Sequence, residues 1–270
     1  MMPRISMRLF LPALVAVAAA CADSTAPVAG VTESMLTRDV AADAADATGH
    51  DLAEMAGMEA LVGLPLTSSP MSPASAFANC VWNAGAQTFI CPSITTPDGL
   101  TLGRWLAIYS GGISQQAYDP LTTDSLFFAA WLSGTVTGSD RTVWLKHARH
   151  LMVTGLTGSE TERSWSGEGV REDSAHVNTD QVARTTRIQS RDVIDKVVYK
   201  LPRADFPFPQ SGTITHDVTV SATTPNGTGA TNRSGTRHVV IVFNGTRTAS
   251  LTIGSTACSL DLVTRKLTCP

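Results

Sequence analysis

The sequence predicts a mainly β fold: an antiparallel meander of about 10–12 strands, curled into a half-barrel or a sandwich, preceded by a short helical or disordered tether. Three observations predict it. The chain holds 34 threonines, a β-branched residue that suits strands. Ile214, His216, Val218 and Val220 alternate with Thr213, Thr215, Asp217 and Thr219, so one face of that segment is apolar and the other polar. No helical period separates the β-rich runs after residue 76, which argues against βαβ units and for short antiparallel connections.

Strands are expected near 77–84, 87–92, 100–109, 125–136, 141–154, 160–170, 181–200, 211–223, 236–243, 247–254, 258–262 and 265–269. The first two flank a Gly-containing turn. In 141–154, Val143, Leu145, Leu151 and Val153 share a face with His147 and Arg149 while Trp144 takes the other, so both faces are partly apolar. Segment 181–200 is the one that also reads as a helix. Val239 to Phe243 run into Asn244-Gly245, a strong hairpin signal. Asn-Gly chemistry asks for a two-residue loop there. Matching apolar faces, Val239 to Leu251 and Ile241 to Ala249, asks for three, and only one register holds. The last two strands turn around Val263-Thr264.

The N-terminus reads as an export signal. Arg4 and Arg8 precede an apolar run from Leu9 to Ala20, too short to span a bilayer, closed by small residues. Val17-Ala18-Ala19-Ala20-Cys21 resembles the lipobox of bacterial lipoproteins, with Ala18 where that family most often has leucine. The resemblance covers the first 25 residues or so and implies that Cys21 is lipidated and becomes the mature N-terminus. Ala22 after the cysteine then favours an outer-membrane location facing the periplasm. The alternative is ordinary cleavage at Ala-x-Ala with Cys21 unmodified.

Three regions follow: 1–20 as signal peptide, 21–75 as an acidic Ala-rich tether with a possible helix, and 76–270 as the β domain. Residues 22–75 carry eight acids and one base, Arg38. Leu52, Met55, Met58 and Leu61 recur at helical steps, Gly49 interrupts, and Pro65, Pro70 and Pro73 end any helix. This segment is expected either to hold the domain off the membrane or to dock on it as a short helix. From residue 76 on there are fifteen acids and seventeen bases, so opposite charge permits docking.

With Cys21 assigned to lipid, four cysteines remain: Cys80, Cys91, Cys258 and Cys269. Both near pairs are eleven positions apart, which favours Cys80–Cys91 and Cys258–Cys269 across two hairpins. In the first, Trp82 would oppose Phe89. Two long bridges between the pairs are the alternative. An oxidising compartment fits either.

Chemistry is sparse. A net charge of −3 excludes a strongly basic nucleic-acid binder. No Gly-x-Ser-x-Gly elbow, phosphate loop, EF-hand or His-Glu-x-x-His occurs, and no cofactor or metal is expected. His147 and His150 would point to opposite faces of a strand. His216, on an apolar face, reads as a satisfied core histidine. An envelope hydrolase would need two or more of His147, His150, His176, Glu168 and Asp173 to converge in a cleft. Trp82, Trp105, Trp131, Trp144 and Trp165 fall on five of the first six strands. They form either core or a concave surface for lipid or glycan. The expected function is a lipid-anchored, non-enzymatic envelope module that binds an apolar ligand or a partner protein. The alternatives are a structural or assembly lipoprotein without ligand, and a hydrolase.

Overall fold

A computed structural model describes residues 33–61, 80–139, 141–178, 183–226 and 229–269. The signal segment, Cys21 and the prolines at 65, 70 and 73 lie outside the described residues. One helix, α1 (Glu33–Leu61), precedes a single antiparallel sheet of thirteen strands. In chain order these are β1 (Val81–Asn83), β2 (Thr88–Thr95), β3 (Thr101–Ser110), β4 (Ile113–Gln115), β5 (Ser125–Thr137), β6 (Arg141–Thr154) and β7 (Glu162–Asn178). They continue with β8 (Ala183–Lys200), β9 (Ser211–Asn226), β10 (Gly229–Val242), β11 (Thr248–Ile253), β12 (Thr256–Asp261) and β13 (Leu267–Thr268). Each strand pairs with the next, except that β4 folds back on β3 and β5 takes β3's other edge. The sheet does not close into a barrel.

The fold class expected from sequence is therefore the one observed. Alternation decides which side faces in: β11, TASLTI, buries Ala249, Leu251 and Ile253 and exposes the residues between. The segment 183–200 is a strand and not a helix, with a bulge between Asp195 and Val198 that places Lys196 at φ 46°. β7 and β10 run further than their composition suggests. The stretches 171–178 and 229–235 are polar or Gly-rich, yet each is paired along its length by a neighbouring strand. Ladder hydrogen bonds override weak propensity there.

The β10–β11 hairpin follows neither expected register. Ile241 pairs with Leu251 and Val239 with Ile253, which widens the loop. The shift from the face-matching register is two residues, so the apolar faces still coincide. Asn244 causes the longer loop. Its Oδ1 accepts hydrogen bonds from Thr246 N–H (3.1 Å) and the Thr246 hydroxyl (2.8 Å), making an Asx turn instead of a two-residue hairpin.

Both terminal hairpins are stapled. Cys80 bonds Cys91 and Cys258 bonds Cys269, each with a sequence separation of 11. Within the first, Trp82 opposes Phe89 with ring centroids 5.1 Å apart, edge to face. The two disulfides point to an oxidising, extracytoplasmic environment.

Of the two expectations for the acidic segment, α1 shows docking. Its buried stripe is Leu36, Val40, Ala44, Thr48, Asp51 and Met55, at spacings of three and four. Gly49 does not interrupt the helix; the Arg265 side chain lies against it. The ion pairs of α1 show that the sheet wraps around it. Asp46 reaches Arg265 in the β12–β13 turn at 3.9 Å, and Asp51 reaches Arg149 on β6. Five helical residues span roughly 7.5 Å, whereas seven strand steps laid flat span roughly 34 Å. The sheet must curl for both contacts to form. Its inner face thus meets α1, and its outer face does not.

Candidate functional site: inner trough and outer face

The inner face carries a polar row inside an otherwise apolar core. Register places Arg149 (β6), Gly169 (β7), Asp192 (β8) and His216 (β9) side by side. The next row holds His147, Arg171 and Ser190. His216 is fully buried and satisfied: Nδ1 lies 2.7 Å from Asp192 Oδ1, and Nε2 lies 2.9 Å from Thr48 Oγ1 on α1. Burial works against the Asp192 charge. Hydrogen bonds from His216 and from the Ser190 hydroxyl outweigh it and hold the carboxyl below its ordinary range.

The acids of α1 meet arginines of the sheet. Glu33 meets Arg237, Asp39 meets Arg184 at 3.1 Å, and Asp43 meets Arg171. Asp51 and Glu54 share Arg149, with Glu54 Oε2 at 2.8 Å. Burial raises Asp43, against the pull of Arg171. Burial also raises Asp51 to about 6, with Arg149 opposing. Burial opposes the charge on Arg149 too, but Asp51, Glu54 and Asp192 more than compensate and hold it protonated.

Hydroxyl, imidazole and carboxylate line up through Thr48, His216 and Asp192 as they do in a nucleophilic relay. They are closed off from solvent. The single Thr48 proton also has Ala44 O as an acceptor at 2.8 Å. This arrangement pins α1 to β8 and β9 and offers no face to a substrate. Sequence reasoning identified His216 as a core residue but found neither Thr48 nor Asp192. No local spacing joins positions 144 and 168 residues apart in sequence to one another.

The residues named for a hydrolase divide between the two faces. His147 Nε2 lies 2.6 Å from Asp173 Oδ1 on the inner face. His150 lies 3.7 Å from Glu168 on the outer face. His176 contacts Thr185 further along the strands. Two separate histidine–carboxylate pairs form, and the five groups do not converge. Among the described residues no cluster of three or more His, Cys, Asp or Glu side chains has the arrangement to hold a metal ion.

The tryptophans also divide. Trp165 is fully buried in the inner core and Trp82 packs against it. Trp105, Trp131 and Trp144 lie on the outer face of β3, β5 and β6, exposed by 37%, 41% and 37%. They therefore do not line a concave surface; alternation sends them outward while α1 occupies the inside. Phe127 stacks on Trp105 at 4.9 Å and on His150 at 5.5 Å. Trp131 lies against Gly103, where a Cβ would come within 2.2 Å of its ring. The missing side chain lets the indole settle on the sheet. Both edges of this band are continued by exposed Ile90 and Val170.

The architecture defines a class: a disulfide-stapled antiparallel sheet wrapped around its own N-terminal helix, with an aromatic outer face. Compared with protein-family models, curated proteins and solved structures, the chain finds no match. Among the described residues no helix is long and apolar enough to cross a membrane.

Proposed function

We propose that this protein is an exported, lipid-anchored envelope module that acts by surface contact and not by catalysis. The observation that carries the reading is the inversion of its apolar surface. The trough where an apolar ligand would lie is taken up by α1, with Leu36, Val40, Ala44 and Met55 buried in it. The apolar surface left uncovered is on the opposite side, around Trp105, Phe127 and Trp131. Exposed aromatic patches mark contact sites on soluble domains. The anchor is Cys21, supported by its lipobox-like context. Disulfides at both ends of the sheet suit the oxidising side of a membrane.

Native mass spectrometry of the mature chain from a periplasm, followed by organic extraction, tests this. The expected result is the mass of the protein with two disulfides and the acyl group on Cys21, and no non-covalent ligand. A co-purifying lipid or glycan retained through buffer exchange would overturn it and make the protein a carrier with α1 as its plug.

A further inference from the structure

We propose that the outer face around Trp105 and Trp131 rests on the phospholipid surface itself, so that the bilayer interface is this module's docking partner. The inference deepens the reading above and rests on Cys21 carrying the lipid.

Two neighbouring cross-strand rows build the face. The first runs Val81, Ile90, Trp105 and Ala129. The second runs Gly103, Trp131, Ala148 and Val170. Val81, Ile90, Trp105, Trp131 and Val170 are all exposed. Three features support a lipid surface as the occupant.

The first is residue type. An indole carries an apolar body and one N–H donor, and tryptophan collects at the depth where acyl chains meet headgroups. The Phe127 stack and the seat over Gly103 hold two of these rings in place, so little rotamer entropy is lost on docking.

The second is charge. Arg191 donates to Glu168 at 2.9 Å beside the band, and Lys146 lies opposite Glu172 one row further on. The rim is nearly neutral in sum, which matches zwitterionic headgroups.

The third is the length of chain between anchor and fold. Residues 22–32 separate Cys21 from Glu33. Eleven residues reach at most roughly 40 Å when fully extended. A domain of this size has a radius of gyration of roughly 18 Å. A chain of that length is long enough to reach the outer face and too short to let the domain move far from the bilayer. Lipid is thus held at high effective concentration beside a face that also binds it without the tether.

The test uses the full mature chain with Cys21→Ser, so that no acyl chain contributes, and vesicles of phosphatidylcholine with brominated acyl chains. Co-sedimentation and quenching of tryptophan emission are expected. Ile90→Asp with Val170→Asp keeps every tryptophan and should abolish both signals, with circular dichroism and melting unchanged. A folded Cys21→Ser protein that ignores phosphatidylcholine vesicles overturns the proposal. So does a photo-crosslinker at position 131 that captures a protein and no lipid. Fractionation of the unmutated protein separates the two readings. Membrane retention through Cys21 without vesicle binding leaves the anchor standing and removes the docking face. Vesicle binding without retention through Cys21 does the reverse.

Discussion

Arg149 on β6 and Asp51 on α1 form a largely buried ion pair, their side chains 18% and 0% exposed. Glu54 shares the same guanidinium at 2.8 Å, and Asp192 approaches it at 4.0 Å. Several carboxylates thus compete for one cation. Buried pairs of this kind add little net stability, because desolvation offsets attraction. What they supply here is position: an Ala-rich helix has few shapes to interlock, and acids matched to arginines on separate strands fix its rotation and its direction.

The Asp51 carboxyl should leave a signature in the pH dependence of stability. Its pKa is 3.8 unfolded and about 6 folded. Between those values the folded chain keeps the proton and the unfolded chain does not. Stability from this group is therefore full below about pH 4 and lost as pH rises to about 6. Above that, ionisation opposes folding by roughly 3 kcal/mol. Asp51→Asn removes the effect. Its melting temperature should rise relative to the parent between pH 4 and 6.5, then run level. Parallel curves over that range would show that Asp51 does not titrate there.

Arg149→Met strands Asp51, Glu54 and Asp192 without their shared cation. A loss of about 3–5 kcal/mol is expected in urea unfolding, the cost of leaving buried charge unpaired. Adding Asp51→Leu should recover a large part of it, because both partners are then apolar. Additive losses in the double variant would mean the two residues are not coupled.

Each disulfide closes a short hairpin loop. Cys80→Ser with Cys91→Ser, or Cys258→Ser with Cys269→Ser, should each cost about 3 kcal/mol on the chain-entropy account. The two losses should add, since the bridges staple different hairpins. A melting temperature unmoved by reductant would contradict both.

Cys21→Ser should abolish metabolic labelling with a fatty acid and turn membrane retention that survives washing into binding that washing releases. Unchanged membrane retention of a chain that no longer takes up label would place the anchor elsewhere.

The outer aromatic face depends on Gly103. Gly103→Ala puts a methyl group where the Trp131 ring lies. Because that ring is partly exposed it can swing away, so stability should change by less than about 1 kcal/mol while tryptophan emission shifts to the red. A large loss of stability instead would mean Trp131 is part of the fold's packing.

The sequence by itself determined the class of sheet and its antiparallel meander apart from the short β4 branch, and it favoured the local disulfides that the structure then showed. All three follow from short-range physics. Alternation assigns faces, turn residues assign reversals, and cysteines opposite each other in a hairpin are already within reach. It also placed His147 and His150 on opposite faces, because a strand turns every second side chain over. Where it misplaced the Asn244 hairpin, a side-chain acceptor competed with the backbone turn. Only the tertiary structure decided what fills the inside. The stripe of α1 that is buried includes Thr48 and Asp51, which no hydrophobic pattern marks as core. They are buried because His216 and Arg149, far along the chain, meet them there. The tryptophans show the same division: each was legible as a strand residue, but which side would be covered depended on where the helix came to rest.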